Sequence, residues 1–359
     1  MPPNVPDSST QCPGSMPNKI QERIEAHHHQ NGNIATLKDF GVGNGELKKK
    51  LKNTPEEWFG FQSKLLWSNI IALTLLHIGA VWTILTFPYW QHKFLTAWVL
   101  LVAIPAGIGV TGGAHRHWTH RTYKANTPLK IILATFYLLS GMNTIFDWVR
   151  DHRVHHKFSE TDADPHNTNR GFFFSHVGWL MMKKHPEVIK RGNQVDMSDI
   201  LEDPVVQFVD SHFTILKMVI CFILPTVIPI YFWNQDVWLT LSSQWLIRYP
   251  FTLNATWSVN SFAHFYGSRE YDKLIRPAQN RWVSFCALGE GWHNYHHAFP
   301  WDYKAAELGY RFNLTTKFID AFAKIGWATD LKTAPDPLIE KVVQNRGDGT
   351  HPRLAKAVK

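Results

Sequence analysis

Apolar and polar positions fall in long blocks along this chain, not in the short alternations of strands. Residues 1–55 are polar, and four apolar stretches follow at about 69–87, 94–114, 213–233 and 237–257. Each is close to the 20 residues that carry a helix across a bilayer. The second has no charge, and the third has Lys217 near one end, from where its amine can snorkel. The fourth is weaker, since it includes Gln244, Arg248 and Asn254. Two short linkers, 88–93 and 234–236, pair the stretches into membrane hairpins. The competing reading is a set of buried core helices in a soluble protein. Pro105, Pro225, Pro229 and Pro250 are tolerable inside membrane helices, and His77, inside the first stretch, is expected to pack on a neighbour. A fifth apolar stretch, about 129–146, either spans or lies in the interface. It runs into Asn143, Asp147, Arg150 and Asp151, and a charge at the bilayer centre would cost roughly 2.5–3.5 kcal/mol.

Composition narrows the class. Charged residues make up 18%, below the roughly 25% of an ordinary soluble protein. With 16 Trp and 23 Phe the chain is not a low-complexity protein. Cys12, Cys221 and Cys286 form no close pair, which excludes a disulfide scaffold and a CxxC zinc site. They suit a reducing compartment. A net charge of +8 points to anionic partners. Residues 1–55 show no apolar core behind Met1, so no cleavable signal peptide is expected. They read as a disordered cytosolic tail in which His27, His28 and His29 are a solvated run, ending near the basic run Lys48–Lys52. Residues 56–335 read as one membrane domain and 336–359 as a basic C-terminal tail.

The chemistry lies in the histidines. His115 and His120 follow the second stretch, and His152, His155 and His156 follow the ambiguous one. His264 follows the fourth, and His293, His296 and His297 lie in the C-terminal region. Neutral imidazole binds first-row metals. In each HxxHH box, positions i, i+3 and i+4 share a helix face. His115 and His120 stand about 140° apart on an ideal helix, so they need a helix end or a kink to converge. Nine imidazoles exceed the needs of one metal and suit two. His117 reads as a supporting or interfacial residue. To build one site, the clusters must share one side of the membrane. Residues 129–146 therefore should lie in the interface, and four spans should leave both termini on the His side. That side carries most of the Lys and Arg, which places it in the cytosol. The sequons at Asn254 and Asn313 are then chance matches. The fold expected is an all-α integral membrane protein: four transmembrane helices and a cytosolic helical cap carrying a His-rich dimetal site.

The boxes, together with Asp164-Pro165-His166-Asn167, the stretch Gly171–Trp179 and Gly289-Glu290-Gly291-Trp292, resemble the membrane acyl-CoA desaturases. The stearoyl-CoA Δ9 group and its insect members look most alike, over about residues 55–335. The resemblance implies two iron ions (Fe2+), O2 as oxidant, electrons from cytochrome b5 and its reductase, and the endoplasmic reticulum membrane. Removing hydrogen from an unactivated methylene is beyond side-chain acid–base chemistry and calls for a redox metal centre. Zinc has no redox chemistry, while imidazole suits both metals, so the spacing alone does not choose iron. The product expected is a cis double bond, at carbon 9, in palmitoyl- or stearoyl-CoA for fatty acid biosynthesis. Alternatives are an acyl-CoA desaturase acting at another position such as Δ11, a His-box hydroxylase, and a silent lipid-binding scaffold. No nucleic-acid partner is expected.

Residue roles also follow from the resemblance. Asn260, on the face of His264, matches a position that reaches a metal through water, and Glu290 is either a supporting carboxylate or a surface or capping residue. Trp148 and Thr256 fall at the bend of the acyl chain, with Trp148 alternatively an interface anchor. Asn69, Asn143, Arg150, Asp151, Lys183, Lys184 and Trp257 correspond to substrate contacts. Lys183 stands where relatives often have Arg, a point charge in place of a fork. Lipid headgroups are the other reading for Lys183 and Lys184. Counting back from His115 puts Thr111, Gly107 and Ala103 on nearly one face, where the tunnel end is expected at Ala103 and Gly107. Small residues there predict a deep tunnel for chains of 18 carbons or longer, or else close helix packing.

Overall fold

The computed structural model describes residues 63–308 and 312–357. The tail expected over residues 1–55, with its histidine and lysine runs, lies outside the described residues.

The apolar stretches are helices. α1 is Trp67–Thr86, and α2 is Lys93–Thr119, which continues past the expected boundary at 114 to carry the first His box. α3 is Thr127–Ser140 and α4 is Ile145–Phe158. α5 is Pro204–Ser211 and α6 is Phe213–Trp233. α7 is a continuous helix over residues 237–260. Among the described residues, α1, α2 and α6 are long and apolar enough to cross a membrane. α1 exposes Ile71, Leu75, Ile78, Trp82 and Leu85, a helix-spaced apolar stripe that water would not favour.

α7 has span length, about 36 Å, but its polar residues dilute its hydropathy. They face inward. Arg248 is fully buried and donates to Gln244 Oε1 at 3.1 Å, Leu139 O at 2.9 Å and Cys221 O at 2.6 Å. One guanidinium thus ties α7 to α3 and α6.

The stretch 129–146, expected as one interfacial helix, is instead broken after Ser140, and the helices on either side of the break, α3 and α4, are bent by 85°. Asn126 caps the start of α3 and Gly141, at φ 67°, ends it. Thr144 then opens α4 by accepting from Asp147 N. Asp210 on α5 adds a second cap, accepting from the amides of Ile145 and Phe146 at 3.0 and 2.9 Å. Average hydropathy does not register such caps.

The remaining helices that matter here are α8 (His293–Ala298), α9 (Leu314–Lys324) and α10 (Asp336–Arg346). Among the described residues, strand is confined to Lys124–Ala125 paired antiparallel with Ala328–Thr329, with Lys124 opposite Thr329. The segment expected as a C-terminal tail from 336 folds back as α10. Its Ile339 and Val343 are buried with Tyr271, Tyr295 and Phe299, an apolar i, i+4 pair that a count of charges overlooks.

Candidate metal centre

The last turns of α2 form a π-helix over Gly109–Thr119. Its i→i+5 bonding places residues five apart as neighbours, and the amide of His120 donates to His115 O at 3.1 Å. The ring centroids of His115 and His120 are 4.9 Å apart. The convergence that an ideal α-helix denies to this pair is supplied by the wider winding.

α4 then presents His152, His155 and His156, a short turn after α7 presents His264, and α8 presents His293, His296 and His297. The nine expected imidazoles assemble as two groups. One is His115, His120, His152, His156 and His296, and the other is His155, His264, His293 and His297. Within each group the candidate ligand atoms lie within 4.8 Å of one another. Nε2 of His296 is 2.9 Å from that of His115 and 3.0 Å from that of His156. Nε2 of His293 is 3.1 Å from those of His264 and His297. Nitrogens bound about 2.1 Å from one ion stand at roughly such separations. Nε2 of His120 and of His152 are buried with no hydrogen-bond partner, which is costly unless a metal takes the lone pairs. The donor set therefore fits two transition-metal ions.

Carboxylates fix the rings from behind. Asp164 Oδ1 is 2.8 Å from His155 Nδ1, Glu160 Oε1 is 3.0 Å from His264 Nδ1, and Glu290 Oε2 is 2.9 Å from His115 Nδ1. Each contact leaves Nε2 free to face the centre and makes it a better donor. Glu290 is thereby the supporting carboxylate, not a surface residue. It in turn accepts from Arg116 Nε and Nη2 at 2.9 and 2.8 Å. Burial works to raise the Glu290 carboxyl, but Arg116 and His115 overcome it and bring the carboxyl down to about 2. Asp164 is likewise buried, yet His155 holds it at about 2. Burial, then the neighbouring imidazoles, push His152, His156, His293, His296 and His297 well below the usual range. His120 is lowered by burial, then by His115 and Arg153. All six are neutral, the form that binds metal.

Glu160, Asp164 and Arg116 carry roles that the spacing did not signal. Glu160 lies 104 positions from His264, and no local pattern links such a pair. His166, in the quoted Asp164–Asn167 stretch, lies with His155 and Asp164. Burial and His155 bring it down to about 3. Since Asp164 is already engaged with His155, this group reads as support for the second cluster.

A cavity of about 790 Å³ runs to the clusters. It is lined by His115, His152 and His293, and by the expected Asn69, Asn143, Trp148, Asp151, Thr256, Trp257 and Asn260, with Ala103, Gly107 and Thr111 farther along. Trp148 stacks on His152 at 4.9 Å. Asn69 donates to Leu180 O at 2.8 Å. Three expected substrate contacts do not line it. Arg150 is buried in pairs with Asp147 and Asp151 at 3.0 and 3.1 Å. Lys183 and Lys184 line a small adjoining pocket with Arg170 and Trp179. Asp151 joins the two spaces, since Lys184 also pairs with it. His77 is packed as expected, with Nε2 3.1 Å from Asn254 Nδ2 and its ring 6.1 Å from that of Trp257.

Comparison with known proteins adds to this geometry. A sequence model of the fatty acid desaturase family matches residues 88–307. The chain is 52% identical to an acyl-CoA Delta-9 desaturase of Acheta domesticus, over 81% of each chain. It is 48% identical to stearoyl-CoA desaturase 5 of Bos taurus, over 81% of this chain and 87% of that one. It is 49% identical to an acyl-CoA Delta(11) desaturase of Choristoneura rosaceana, over 80% and 86%.

Proposed function

Given that the chain belongs to the fatty acid desaturase family, we propose that this acyl-CoA desaturase, an oxidoreductase, places a cis double bond at carbon 9 of palmitoyl- or stearoyl-CoA. Two iron ions, O2, and electrons from cytochrome b5 and its reductase are the implied partners. The observation that carries the reading is the meeting of two imidazole clusters with one long, mostly apolar cavity.

His115, His120, His152, His156 and His296 would hold one iron. His155, His264, His293 and His297, with Asn260 beside them through water, would hold the other. Bound iron supplies the oxygen-dependent removal of two hydrogens, which no side chain performs. The protein supplies position. Asn69, Asn143, Asp151 and Trp257 hold the polar end of the substrate, with Lys183 and Lys184 in the adjoining pocket offering charge to phosphate and buried Arg150 fixing Asp151 from behind. Trp148 and Thr256 narrow the cavity beside the clusters, so that two neighbouring methylenes are presented and water is kept out. Ala103 and Gly107 leave room for chains of 18 carbons or longer. A profile unchanged from 14 to 20 carbons in Ala103→Tyr would reject that depth.

Four crossings by α1, α2, α6 and α7 leave the clusters and both termini on the cytosolic side of the endoplasmic reticulum membrane. The lipid-suited stripe of α1 and the inward-facing Arg248 of α7 support this topology. The test is expression in a yeast lacking its own Δ9 desaturase, with gas chromatography of derivatised double bonds. Growth without added oleate and 9-monoenes are expected. A main product at carbon 11, as the name of the Choristoneura relative describes, or a hydroxy acid, would replace this reading.

A further inference from the structure

The cavity does not close at α2. Leu288 lies against Gly107, and the lining also includes Phe285 and Phe312 and, on α2, Leu100 and Ile104. Phe285 is 76% exposed, Phe312 78% and Leu100 55%. The lining therefore reaches the molecular surface, and the rim there is apolar. An apolar mouth is costly in water and suits hydrocarbon. Leu100 and Ile104 belong to a helix long and apolar enough to cross a membrane, so the rim continues a lipid-suited face.

Leu288 stands at the sill of this mouth. Its φ is 55°, a left-handed backbone that a branched residue adopts only under constraint. The constraint is visible: Leu288 O accepts from Thr315 N at 3.2 Å and from Thr315 Oγ1 at 3.1 Å. The pinned turn drives the side chain onto α2, where a Cβ at Gly107 would come within 2.6 Å of Leu288 Cδ1.

We propose that the far end of the cavity is a lateral portal into the bilayer, between α2 and the segment 281–288. The methyl end of a long acyl chain passes Leu288 and lies in lipid hydrocarbon, and Leu288 sets how readily it passes. This rests on the acyl-CoA desaturase reading. It makes the upper chain-length limit soft and places its control on the cap as well as on α2.

Microsomes carrying native, Leu288→Gly or Leu288→Phe protein are assayed with 14- to 22-carbon acyl-CoAs. Leu288→Gly keeps the left-handed backbone without strain and should raise the ratio of 20- and 22-carbon to 16-carbon turnover. Leu288→Phe should lower the ratio of 18- to 22-carbon to 14-carbon turnover roughly tenfold. Profiles identical to native in both variants overturn the portal. A second measurement is independent of turnover and of the Leu288 variants. Cys286 is exposed and lines the same mouth. A nitroxide placed there in full-length Cys12→Ser protein in nanodiscs should relax more with lipid-soluble O2 than with a water-soluble nickel chelate. The reverse order means the mouth faces water and also overturns the portal. Native microsomes that desaturate no acyl-CoA would sink the functional reading instead, while the nitroxide still reports on the mouth.

Discussion

At the scale of residues, the centre depends on what stands behind the imidazoles. Glu290→Gln and Asp164→Asn keep shape but lose the charge that orients His115 and His155. Each should weaken metal binding roughly 10- to 100-fold, read as metal content of purified protein after graded chelator treatment. Unchanged retention would mean the carboxylates only pack. Acid should act in two stages. The six lowered imidazoles bind fewer protons folded than unfolded. Their stabilisation is therefore full above about pH 6.5, the ordinary histidine value, and falls as pH drops below it. Asp164 and Glu290, held near 2, contribute fully above about pH 4.5 and lose that contribution toward pH 2. The melting temperature of chelated protein in detergent should thus drop between pH 6.5 and 5, where these imidazoles take up protons in the unfolded chain and the two carboxylates do not titrate. A flat curve over that interval would contradict the neutral cluster.

At the scale of elements, α2 does two things: it lies close against α3, and it widens into the π-helix that brings His115 to His120. The approach is tightest at one glycine. A Cβ on Gly109 would run into the backbone of Phe136 and Tyr137, which cannot swing aside. Three residues on, a Cβ on Gly112 would meet only side-chain atoms at ordinary contact, Thr315 Cγ2 at 3.5 Å being the nearest. Gly109→Ala should therefore cost about 1–3 kcal/mol or more and lower the melting temperature, while Gly112→Ala should be nearly neutral. Equal effects would show that α2 and α3 can slide apart. The α3–α4 corner has a similar dependence. Gly141 holds φ 67° with Tyr249 and Cys221 against it, and the corner sets the direction in which α4 carries its three histidines.

At the scale of the molecule, a C-terminal helix is joined to the centre through packing. α10 buries Ile339 and Val343 against Tyr295, and Tyr295 lies on α8 between His293 and His296. Each such apolar side chain contributes roughly 1.5–3 kcal/mol when buried. A chain ending at Pro335 should lose several degrees of melting temperature and part of its bound metal, although it keeps the nine imidazoles. Full metal content in that truncated protein would show that α8 is held without α10.

Periodicity and spacing carried much of this protein. The apolar blocks became α1, α2 and α6, since a run of apolar residues near bilayer length has few other stable forms. The HxxHH boxes became ligand faces, because i, i+3 and i+4 coincide on any helix. What local pattern could not give was whatever depends on contacts between distant positions. The turn at Gly141, the π winding after Gly109, the pairing of Glu160 with His264 and the return of α10 onto Tyr295 each need a partner far away in the chain. Inward-facing Arg248 shows the same limit: its hydropathy argued against a spanning length, and only carbonyls from α3 and α6 make that charge tolerable inside. Sequence alone determined which side chains can bind metal and which segments suit lipid. The tertiary structure decided how the nine imidazoles divide into two groups, because that division follows from distances in space, which spacing along a chain does not encode.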